Sequence, residues 1–177
     1  MTRAAPLAEP RAHSRKPRPW WALASGYLAF TWAVFFALAN VYLQLGLPDP
    51  LQGGARHHFS GGITVLNLAV VPIKLVAALV ALALVRPWGE RLPRHLRRLV
   101  LIAAWGACAI LVGYPVIGSL LTVGVQSGIL TAPPTGFKVG GGFQTRVLLY
   151  GTFFLVAGIL FGIAAWDYQR TTSSVRP

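Results

Sequence analysis

Four apolar runs divide the chain, at about residues 20–45, 63–85, 99–124 and 147–166, and the segments between them are rich in Pro, Gly and charge. Each run is long enough to span a bilayer, because about 20 residues rising 1.5 Å each cover a hydrocarbon core of roughly 30 Å. A helix satisfies its backbone amides internally, which lipid requires of any spanning segment. The pattern therefore predicts an all-α membrane protein, a four-helix transmembrane bundle of up-and-down topology. An N-terminal arm at 1–19 and a tail at 167–177 stand outside it. The third run stays apolar to Leu130, too far for one straight crossing. A kink near Pro115 and an early end around Gly124 are expected, followed by an interfacial or re-entrant piece.

Charge gives the bundle an orientation. Of sixteen Arg and Lys residues, five lie in the arm (Arg3, Arg11, Arg15, Lys16, Arg18) and five in the central connection (Arg86, Arg91, Arg94, Arg97, Arg98). The tail holds Arg170 and Arg176, while Arg56, Lys138 and Arg146 fall in the other two connections. Basic residues accumulate on the cytoplasmic side, so both termini are expected there and the protein in the plasma or inner membrane. Asp167 and Arg170 mark the last exit. A net charge of +12 on a folded soluble surface would suggest nucleic acid. Spread over these segments it points instead to anionic lipid headgroups, with no nucleic-acid partner. The composition, 55% hydrophobic and 11% charged, departs from that of soluble domains, in which about a quarter of residues are charged.

The first run opens with Trp20 and Trp21 at interfacial depth. Ala37-Leu38-Ala39 has the form of a signal-cleavage site, but the apolar stretch before it is too long for a typical signal, so the helix is expected to be retained. Ser25, Ala29, Ala33 and Ala37 recur every fourth residue, a ridge that lets helix backbones approach. Asn40 and Gln44 continue it toward the outer end. In the fourth run Gly158 and Gly162 form a second packing motif.

The second run contains Lys74, the one charge inside an otherwise apolar span. An intramembrane ionisable residue is a functional-site hypothesis by default. Asn67, Val70, Lys74, Ala77 and Ala81 share a helical face whose small residues argue for an inward position. Pro72 removes an amide donor and frees the carbonyl of Leu68. No Asp or Glu lies in any span, so Lys74 is expected near the midplane with Asn67, Tyr114 or water as partners, and Asn40 and Gln44 within the same candidate binding site.

Outside the spans, chemistry is sparse. The connection 46–62 carries Asp49, His57 and His58, the only metal candidates. Adjacent side chains diverge on a regular backbone, and no metal is expected. Gly140-Gly141-Gly142 lacks the lysine of a phosphate-binding loop and reads as a linker. Cys108, the single cysteine, excludes an intrachain disulfide and a thiolate cluster. No cofactor is implied.

The segments Gly26-Tyr27-Leu28-Ala29-Phe30-Thr31-Trp32-Ala33, Val41-Tyr42 through Leu47-Pro48, and Phe153 to Trp166 resemble the helix signatures of a bacterial family of small four-helix membrane proteins described only as a domain of unknown function. The resemblance covers most of residues 20–166 and implies an inner-membrane, four-helix architecture. It transfers no activity. The family often has histidine near the position of Asn40, where this chain departs.

Packing motifs outnumber chemical ones. The expected function is a non-enzymatic accessory or assembly protein that binds a membrane-protein partner or a second copy of itself. The alternative is permeation of a small molecule or anion past Lys74. A membrane enzyme ranks third, because catalysis needs a positioned acid, base or nucleophile and only Lys74 and Tyr114 could pair.

Overall fold

The computed structural model describes residues 18–48, 61–129 and 141–173, and among them the fold is all-α with no strand. The helices are α1 (Trp20–Gln44), α2 (Gly61–Val85), α3 (Pro87–Glu90), α4 (Arg94–Gln126) and α5 (Gly141–Ser173). Among the described residues, α1, α2, α4 and α5 are long and apolar enough to cross a membrane.

Turn chemistry sets the helix ends. α1 stops at Gly46 and α4 at Gly128, both in the left-handed region (φ 70° and 72°), where glycine pays no Cβ penalty. Their amides bond back to Leu43 and Val125. Between α2 and α4 the prolines divide the basic segment. Arg86 is extended, Pro87 opens α3, and Pro93 caps α4. Arg94, Arg97 and Arg98 thus belong to the first turns of a helix rather than to a loop.

Two elements run further than their apolar stretches. α4 begins at Arg94, ahead of the apolar run that starts at Leu99, and continues through Pro115 to Gln126, past the expected end at Gly124. α5 begins at Gly141 and carries Thr171–Ser173, expected in the tail, as helix. Hydropathy marks where lipid ends, whereas backbone hydrogen bonds propagate a helix into water. Of the interfacial or re-entrant piece expected after Gly124, residues 130–140 lie outside the described residues.

α1 packs against α2 and α5, α4 packs against α5, and α2 meets α4 and α5 less extensively. Gly26 faces Val85, while Ala29 and Ala81 share a buried cluster with Phe161. A methyl group at Gly158 would lie 2.7 Å from Val112 Cγ2, and one at Gly162 would lie 3.1 Å from Cys108 Sγ. At each of these crossings residue numbers rise on one helix as they fall on the other. A second buried cluster joins Leu84, Ala104, Ala164, Ala165 and Tyr168. Ser25, Ala29, Ala33 and Ala37 are all buried. Small residues bring these backbones close, and dispersion between the touching surfaces then holds the helices together where burial from water cannot.

Candidate functional site

The described polar chemistry gathers at two levels of the bundle. The first is an aromatic layer around Lys74. Trp32 and Phe36, one turn apart on α1, meet Phe153 and Phe154 of α5 with ring centroids 5.1–6.0 Å apart. The Lys74 ammonium lies over the Phe36 ring, 3.5 Å from its centroid. A ring face carries the negative part of the aromatic quadrupole, so it attracts the cation. Tyr114 meets Phe154 edge-on at 5.3 Å and is otherwise exposed on α4. Lys74 and Tyr114 are thus connected through Phe36 and Phe154, which touch each other at 5.1 Å.

The depth of this layer follows from helical rise. Phe36 is about 22 Å along α1 from Trp21 and about 9 Å from Tyr42. Both flanking residues are exposed aromatics of the type that sits at membrane interfaces. Lys74 therefore lies nearer the middle of the span than the Tyr42 end, displaced toward Tyr42, which leaves that interface within reach of a long side chain.

The other residues singled out in the sequence divide as follows. Asn40 and Gln44 are half-buried on α1, and Gln44 Oε1 is buried with no hydrogen-bond partner. Asn67 belongs to α2, but its side chain lies outside the described residues, as do Asp49, His57 and His58. Among the described residues no three His, Cys, Asp or Glu side chains converge to hold a metal.

The second level, at the opposite end, is an ionic knot that sequence reasoning missed. Arg18 Nε donates to Asp167 Oδ2 at 2.9 Å, and Arg18 Nη2 approaches the same oxygen at 2.8 Å. Arg18 Nη1 lies 3.8 Å from Glu90 and 3.5 Å from the Val85 carbonyl at the end of α2. One guanidinium thereby ties the entry of α1 to α2, α3 and α5. Alongside, the buried Tyr168 hydroxyl donates to the Gly89 carbonyl at 2.7 Å. Gly89 is pressed against the Ala83 carbonyl, so no larger residue fits there. Sequence alone puts Arg18 in the N-terminal arm and Asp167 at a helix exit. The only sequence signal was scarcity, since the chain has four acidic residues and two of them border this end.

Two open grooves lie among the described residues. One of about 350 Å³ runs between α4 and α5, lined by Pro115, Val116, Ser119, Leu120, Gly151 and Leu155. Another of about 420 Å³ lies beside Trp166, Gln169, Arg170 and Ser173. Neither contains a nucleophile paired with a base. No protein-family model, curated protein or solved structure matches the chain.

Proposed function

We propose that this chain is a multi-pass protein of the plasma or bacterial inner membrane, an up-and-down bundle with both termini cytoplasmic, that acts without catalysis as an accessory or assembly subunit. The observation that carries the reading is α4. This helix packs chiefly on α5 and leaves its opposite face open, with Leu99, Ile102, Ile110 and Ile117 exposed. On that face Gly106 and Gly113 are one heptad apart, and no neighbouring atom comes within 4 Å of where a Cβ would stand. Elsewhere the fold uses Gly26, Gly158 and Gly162 for close helix contact. Two glycines with the same character and no internal neighbour fit a helix supplied from outside.

Three of the described polar contacts support the same reading, because they are internal. Lys74 is held by Phe36, Arg18 by Asp167 and Glu90, and Tyr168 by Gly89. Permeation of an anion past Lys74 would require the ammonium to leave the ring for the passing ligand.

Two experiments test the proposal. Reporter fusions at residues 55, 92, 138 and the C-terminus should report outside, inside, outside and inside, and an external C-terminus would overturn the topology. A photo-crosslinking residue at position 113, in native membranes, should give one discrete protein adduct. Labelling of lipid alone, together with anion flux that vanishes in Lys74→Met, would replace the accessory reading with permeation.

A further inference from the structure

The end of the bundle that holds the ionic knot carries a strong charge imbalance. Its two described acids, Glu90 and Asp167, both lie against Arg18. Of the remaining cations there, Arg86, Arg91, Arg94, Arg98 and Arg170 with His95 are exposed, while Arg97 is half-buried. Two of them do not simply extend into water. Arg86 lies 5.6 Å over the Tyr27 ring and Arg170 lies 4.7 Å over the Trp166 ring. Trp20, Trp21, Trp88 and Trp166 are exposed around the same end. The contacts of Arg18 with Glu90 and Asp167 bring the starts and ends of these helices to a common level.

Exposed tryptophans on a membrane helix lie at headgroup depth, where the lipid phosphates are. A guanidinium stacked on such a ring is held at that depth and keeps its edge N–H groups free for a phosphate oxygen. Arg170, on Trp166, is held at that depth, Arg86 lies on Tyr27 about two turns inside Trp20, and Arg91, Arg94 and Arg98 add positive potential beside them. A soluble polyanion such as RNA would meet the more distal cations first and would have no reason to require the stacked pair.

We propose that this collar is a binding surface for anionic glycerophospholipid headgroups of the surrounding leaflet, with Arg86 on Tyr27 and Arg170 on Trp166 as its two fixed phosphate contacts. The proposal rests only on reading the long helices as membrane spans, and does not depend on the accessory role.

The test uses the full chain in nanodiscs of phosphatidylcholine containing a minor fraction of phosphatidylglycerol, followed by detergent extraction and measurement of the lipid retained on the protein by native mass spectrometry. The wild type should retain phosphatidylglycerol well above its share of the bilayer. Arg86→Gln and Arg170→Gln should each reduce that enrichment by about fivefold, the contribution expected of one basic residue near an anionic surface. Arg86→Lys and Arg170→Lys should keep most of it, and Lys138→Gln, in a different connection, should leave it unchanged. Unchanged melting temperatures in the two glutamine variants would separate lost lipid from lost fold. Retention at the bulk ratio in the wild type would overturn the proposal, as would displacement of the bound lipid by a short RNA. A chain that fails to insert as a helical protein into any nanodisc would instead overturn the reading of the helices as spans.

Discussion

Arg18 and Asp167, 149 residues apart in sequence, form the tightest ionic contact described in the fold, with Arg18 Nε and Nη2 both directed at one carboxylate oxygen. Their side chains are only 14% and 9% exposed. Removing one partner leaves a largely buried charge uncompensated, which typically costs about 3–5 kcal/mol. Glu90 can take part of the load in an Asp167 variant, so the lower end of that range is expected for Asp167→Asn. The double variant Arg18→Met with Asp167→Leu should melt above either single variant in detergent, because no isolated charge remains. Strictly additive losses would show that the pair is not coupled.

The glycines separate into two classes with opposite predicted responses. Gly158→Ala places a methyl group 2.7 Å from Val112 Cγ2 and 3.1 Å from the Val112 amide nitrogen, so it should force α4 and α5 apart and lower the melting temperature. Gly89→Ala should be worse, since the obstacle is the rigid Ala83 carbonyl. Gly106→Ala meets open space, and replacing glycine within a helix gains up to about 1 kcal/mol. The isolated protein should therefore be slightly stabilised by Gly106→Ala. If this variant also weakens the discrete adduct formed from position 113, the open face is a contact surface rather than a lipid-facing accident.

Tyr168→Phe removes one hydroxyl from a buried position and leaves the Gly89 carbonyl without that donor. An unpaired buried acceptor costs about 1–3 kcal/mol. The loss should appear in thermal melts. Hydrogen exchange should also rise locally in α3 and the end of α2, because Tyr168 links α5 to the α2–α4 connection. Exchange that rises uniformly would argue against a local fastening.

The four long apolar helices were legible from sequence and the ionic knot was not, for the same physical reason. Spanning segments announce themselves because lipid imposes a minimum apolar length, and the runs ending at Leu45 and Val85 nearly coincide with α1 and α2. Helix ends in water have no such constraint, so α4 and α5 outran their apolar stretches. Ser25, Ala29, Ala33 and Ala37 could be placed on one face by spacing, and all four are buried. Nothing in local spacing connects Arg18 to Asp167, whose contact exists only once α1 and α5 are packed. Lys74 was conspicuous by its charge. Its contact with Phe36 was hidden because an aromatic residue in a membrane helix is unremarkable until its neighbour is known.

That contact yields the sharpest prediction about the aromatic layer. A charge in a span is costly, by about 2.5–3.5 kcal/mol at a helix centre and less toward the interface. A desolvated cation–π contact offsets up to about 2 kcal/mol of it. Lys74→Met should therefore change stability little, since the charge cost and the ring attraction disappear together. Phe36→Leu should destabilise the wild type, leaving the ammonium without its ring, and should do so by about 1–2 kcal/mol less in the Lys74→Met background. The four melting temperatures of this cycle, measured in one detergent, give the coupling directly. A coupling near zero would mean that Lys74 gains nothing from Phe36 and satisfies its charge through the Tyr42-side interface, in which case Lys74→Met alone should be the most stable of the four proteins.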